Sequence, residues 1–130
     1  MSITLVADPA RSLLVATADG ELGLGELQEF LRTARAGERR DWPLLFDATS
    51  ATTSITTDQI RALSMAVGSV LRTEGARAPV AMVAVHDALF GLMRMYQTMC
   101  EAEGVDRIGV FRTREAAEAW LLPGAEGRSL

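Results

Sequence analysis

The chain has 130 residues, 48% apolar and 23% charged, which suits one globular domain with a substantial core and excludes both two independent domains and wholesale disorder. Its formal net charge of −4 supplies no general basic field for a phosphate backbone, so nucleic acid is not expected as a partner. All 13 basic residues are arginine, which removes lysine-based Schiff-base, phosphate-loop and general-base chemistry.

One cysteine, Cys100, excludes an internal disulfide, and with the single histidine, His86, it leaves too few soft ligands for a zinc site. No cofactor is expected. No run of 18 apolar residues occurs, and no basic region precedes the first apolar run. Neither a membrane span nor an export signal is therefore expected, and the sequence reads as cytoplasmic.

In chain order, the apolar runs Ile3 to Ala7 and Leu13 to Ala18 flank the polar link Asp8-Pro9-Ala10-Arg11 and predict an antiparallel hairpin. After Asp19-Gly20, the three- and four-residue spacing of Leu24, Leu27, Phe30, Leu31 and Ala34 predicts a helix ending near Gly37, with Glu38 to Asp41 as a solvated connector. Leu44-Leu45-Phe46 reads as a short strand ending at Asp47. A loop follows from Thr49 to Thr57, where seven of nine residues carry hydroxyls. Thr56 as N-cap with Gln59 completes a capping box, and Ile55 with Ile60 forms a hydrophobic staple. The second helix then buries Ile60, Leu63, Val67, Val70 and Leu71, runs to about Thr73 and stops at Gly75.

Val80 to Val85 is apolar without alternation and predicts a central parallel strand covered on both faces. Asp87 is placed to cap a third helix, whose apolar side carries Leu89, Leu92, Met93, Tyr96, Met99 and Cys100. Asp106 to Phe111 is the last strand, and Thr113 caps a final helix through Leu121, stopped by Pro123-Gly124. The expected fold is α/β: one domain over residues 1–122, a five-stranded mixed sheet made of a hairpin followed by strand–helix repeats, four helices, and a flexible tail over 123–130.

Four segments carry a resemblance: the early hairpin, the strand LLFDATS, the strand and helix VAMVAVHDALFGLMRMYQTM, and the closing VFRTREAAEAWL. Together, over residues 1 to about 122, they resemble the sulfate-transporter and anti-sigma-factor-antagonist (STAS) domains. The likeness is to the SpoIIAA-like branch of small bacterial proteins, which is also similar to CRAL-TRIO lipid-transfer proteins. It implies a compact α/β domain that binds other proteins, with a phosphorylation site at the start of the second helix. That position corresponds here to Thr56 and Thr57, where Ile55-Thr56-Thr57-Asp58 stands in place of the regulators' Asp-Ser-Ser-Gly.

Phosphate on Thr56 or Thr57 would sit at the positive end of a helix, where negative charge is favoured; the same Thr56 hydroxyl serves equally as a simple cap. Two functions from different classes follow. The first is a non-enzymatic protein-interaction domain whose partner-facing loop comprises Thr49, Ser50, Thr52, Thr53, Ser54 and Asp58. The second is a carrier of a small hydrophobic, lipid-like ligand held between the third helix and the sheet. His86, Phe90, Met93, Arg94, Met95 and Gln97 mark the candidate surface for that ligand or for a homodimer. Gly23-Leu24-Gly25 lacks the third glycine of a dinucleotide loop. No catalytic set assembles from the scattered carboxylates, so no enzyme is expected.

Overall fold

A computed structural model describes residues 2–35, 41–74 and 78–122. The expected helix stops at Gly37, Gly75 and Pro123-Gly124, most of the connector beginning at Glu38, and the tail all lie outside these residues. The elements run β1 (Ser2–Asp8), β2 (Leu13–Leu22), α1 (Leu24–Arg35), β3 (Leu44–Thr53), α2 (Thr57–Glu74), β4 (Val80–Val83), α3 (Asp87–Ala102), β5 (Ile108–Phe111) and α4 (Arg114–Leu121). They form the expected α/β architecture. One five-stranded sheet has the order β1-β2-β3-β4-β5, with β1 antiparallel to β2 and every later pair parallel. Among the described residues no helix is long and apolar enough to cross a membrane.

Each parallel crossover advances in the same direction along the sheet, so right-handed connections place α1, α2 and α3 on one face. Leu14 and Ala16 of β2, Leu44 and Phe46 of β3, Met82 of β4 and Ile108 of β5 point to that face and share a core with Phe30, Met93 and Cys100. Leu13, Leu45, Ala81 and Val83 point to the other face, where Ala117 and Leu121 of α4 cover them. The central strand β4 is thus buried on both sides, which explains its unbroken apolar run.

Both helix starts read from hydroxyl caps form. The Thr56 hydroxyl accepts from the Gln59 N–H at 3.2 Å while Gln59 Oε1 accepts from the Thr56 N–H at 2.9 Å, and Thr113 Oγ1 accepts from the Ala116 N–H. Ile55 and Ile60 pack in one cluster, as a staple requires. At the end of α3, Gly104 takes φ +92°. Its N–H reaches the Glu101 carbonyl and that of Val105 reaches the Cys100 carbonyl, the paired bonds of a Schellman stop.

Three expectations are corrected. The hydroxyl-rich segment is not one loop: Thr49 to Thr53 belong to β3, because β2 continues through Asp19-Gly20 to Leu22 and supplies partners for Ser50 to Thr53. An extra residue in β3 shifts the register between Asp47 and Ser50, and Asp47 Oδ1 holds this bulge by accepting the Thr49 N–H at 3.0 Å. Asp87 does not cap α3; His86 holds the N-cap position without a side-chain bond, and Asp87 instead pairs with Arg112 at 2.8 Å. The strands β4 and β5 are also shorter than expected: β4 stops at Val83, with Val85 52% exposed, and β5 starts only at Ile108, after the exposed Asp106 and Arg107.

A line of charges fixes α4 over its face. Arg11, in the turn after β1, reaches Asp8 at 2.8 Å and Glu118 at 3.0 Å; Arg114 reaches Glu118 at 2.9 Å and Asp47 at 3.5 Å. The hydrogen bond from Arg11 holds the Asp8 carboxyl below its ordinary value, and those from Arg114 and then Arg11 do the same for Glu118. Both carboxyls titrate lower folded than unfolded, so their stabilisation is present above the unfolded values and is lost as pH falls through the folded ones. Thermal melts should therefore show stability declining as pH drops through roughly 4 and below. Arg11→Ala should flatten that decline; an unchanged slope would show that the pairs are too well solvated to matter.

Candidate functional site

On the three-helix face α2 stands off the sheet. Ile60 and Leu63 pack against Leu24, Leu27 and Leu31 of α1 and against Leu92, Tyr96 and Met99 of α3, with no strand residue in their cluster. By contrast α1 rests on the sheet through the Phe30–Phe46 ring contact, centroids 5.3 Å apart, and α3 does so through Gln97, whose Nε2 donates to the Ile108 carbonyl at 2.6 Å. Where α2 crosses α3 a Cβ on Gly68 would lie 2.7 Å from Glu103 Cβ, so only glycine admits this approach. Arg72 Nη1 pairs with Glu103 there at 3.2 Å.

Beneath α2 the packing leaves a cavity of about 230 Å³, partly open to solvent. Its floor is Leu14, Leu44, Phe46, Val80, Met82 and Ile108 of the sheet; its walls include Leu27, Phe30 and Leu31 of α1 and Met93 and Tyr96 of α3; its roof is Ile60, Leu63, Val67 and Leu71 of α2. The wall is apolar and internally satisfied. At the end formed by Leu22, Ile55, Ile60 and Leu89, all buried, the Thr53 hydroxyl donates to the Leu22 carbonyl at 2.8 Å and accepts from the Ile55 N–H at 3.1 Å. Among the described residues no buried side-chain nitrogen or oxygen lacks a partner. The opposite end carries the exposed part of the described lining and is taken as the mouth: Gly104, Asp106 and Arg107 are exposed, and Trp42, Leu71 and Ala78 are half-buried.

Of the residues proposed for a ligand or dimer surface, the structure brings only Met93 to the cavity. Met95 is half-buried beside α2, and Phe90 lies under the Arg112 guanidinium, 3.9 Å from the ring centroid. Gln97 is spent on β5, and His86 and Arg94 are exposed outside the cavity. The cavity does lie between α3 and the sheet, with Leu89, Leu92 and Met93 in its lining, while the exposed part of its described lining is at the edge of the sheet opposite His86. Of the hydroxyl series, Thr53 faces the cavity. Ser50, Thr52, Ser54, Thr56, Thr57 and Asp58 are exposed, with Ser54 donating to Glu21 at 2.8 Å, and Thr49 is half-buried. The α1 and α2 residues that line the cavity carry no sequence signal separating them from ordinary core.

A comparison with models of known protein families finds no match to this chain, and a comparison with curated proteins finds none either.

An apolar space of this size is costly. At about 24 cal/mol per Å³ of unfilled core, a fully enclosed 230 Å³ would forfeit on the order of 5 kcal/mol, comparable with the lower end of the net stability of a small domain, and the open end of this cavity lowers that figure. Filling it partially should recover some of that. Val67→Leu, which adds one methylene from α2 into the space, is expected to stabilise by about 0.5–1 kcal/mol. Denaturant titration reads this directly, and a loss of stability would mean that the space is already packed.

Proposed function

We propose that this protein binds and carries a small apolar molecule in the cavity between its sheet and the α1–α2–α3 layer. The observation that carries the reading is an apolar, partly open space of about 230 Å³ with no unpaired buried polar side chain in its wall among the described residues. Its size lies between the ~150 Å³ apolar cavity that takes up benzene and the ~300 Å³ at which ordinary ligand pockets begin. Binding without turnover is the reading, because among the described residues the charged side chains along the lining are Asp106 and Arg107, both at the exposed end, and acid–base catalysis needs titratable groups gathered at the reacting atoms.

A second reading, a regulatory domain of STAS type, draws support from the exposed start of α2. Thr57 and Asp58 are exposed beside the capping box. Phosphate on Thr57 would add negative charge at the positive end of α2 without removing the Thr56 cap. The two readings are compatible, since the exposed end of the cavity and the exposed start of α2 lie at opposite edges of the sheet.

Native mass spectrometry of protein purified without denaturation tests both. A non-covalent adduct that denaturation removes supports the carrier, and phosphate mapped to Thr57 supports the switch. Calorimetric titration with 1-alkanols of increasing length adds the decisive measurement. Affinity should rise about 0.8 kcal/mol per methylene until the cavity is full, and absence of binding along the whole series would sink the carrier reading.

A further inference from the structure

The two ends of the cavity differ chemically, and this asymmetry selects the kind of molecule it takes. We propose that the occupant is a single-tailed amphiphile, seated tail-first, with its polar head left in water at the edge formed by Gly104, Asp106 and Arg107. The proposal rests on the cavity being a ligand site and adds to it the class and direction of the ligand.

At the closed end, among the described residues, the one hydroxyl in the lining is that of Thr53, which already donates to the Leu22 carbonyl and accepts from the Ile55 N–H. The remaining groups there, among them Ile60 and Leu89, are buried hydrocarbon. A polar atom carried to that end leaves its water partners and finds none, a loss on the order of tenfold or more in affinity. At the mouth the exposed residues leave a head group hydrated, so no such loss arises there. A molecule polar at both ends is thereby rejected, and one polar at a single end has one orientation. If ~150 Å³ suits the six carbons of benzene, the observed 230 Å³ suits about nine. The head emerges where the parallel strands begin, 104–107 leading into β5, which is the edge opposite the exposed start of α2.

Calorimetry with 1-nonanol, 1,9-nonanediol and butylbenzene tests this on the full chain. The expected result is binding of 1-nonanol with the diol weaker by tenfold or more. Leu89→Phe fills the closed end and should shorten the preferred 1-alkanol by two or three carbons, and Ile60→Phe, on a different element, should do the same. A cooperative thermal melt shows which of the two variants is folded and therefore interpretable. Equal affinity for the diol and 1-nonanol, or an unchanged length preference in a folded variant, overturns the orientation. Binding of butylbenzene without 1-nonanol also overturns it while leaving the carrier reading intact. Failure of all three probes removes both.

Discussion

Three helices share one face of a narrow sheet, and that constraint shapes the rest of the molecule. Three helices side by side at 8–10 Å need about 16–20 Å between the outer axes, a width that only all five strands, about 19 Å at 4.8 Å per step, can underlie, and β1 accordingly adds Ile3, Leu5 and Ala7 to the same core. The outer helices keep their seats: α1 through Phe30 on Phe46, and α3 through Gln97 on β5. The middle helix, α2, is lifted and packs on its two neighbours. The cavity is the space between this lifted helix and the sheet.

A lifted helix needs its own anchors, and α2 has one at each end. Its start is held by the reciprocal Thr56–Gln59 bonds and the Ile55–Ile60 staple. Toward its other end Gly68 admits Glu103 at close range and Arg72 pairs with the same carboxylate. The first set fixes the start of α2 locally, and the second joins α2 to the end of α3 without requiring it to touch the sheet. The opposite face has no such crowding. There a single eight-residue helix suffices, fixed by the Arg11–Glu118–Arg114–Asp47 line.

Much of the fold was legible because its signals are local. The Thr56 and Thr113 caps form as read, since capping depends on residues three positions apart. The unbroken run at β4 announced a strand buried on both faces. Asp87 misled because a carboxylate at a helix start can cap the amides or meet a cation, and Arg112, 25 residues away, took it. The hydroxyl run misled for a related reason. Threonine suits a strand when a partner strand is present, and the partner here is an extension of β2 beyond Asp19 that no spacing in the chain foretold. The candidate site was less legible still: Met93 alone of the proposed ligand residues lines the cavity, because helical spacing marks the apolar side of α3 without showing which part of it meets unfilled space.

By itself the sequence determined the order and type of the elements, the helix starts and the existence of an apolar core, since each depends on periodicity or on contacts within one turn. Only the tertiary structure decided which apolar residues meet one another and which meet empty space. Leu63 and Val67 present the same stripe whether they rest on a strand or roof a cavity. The difference lies in how far α2 is held from the sheet, and that distance is set by neighbours far away along the chain.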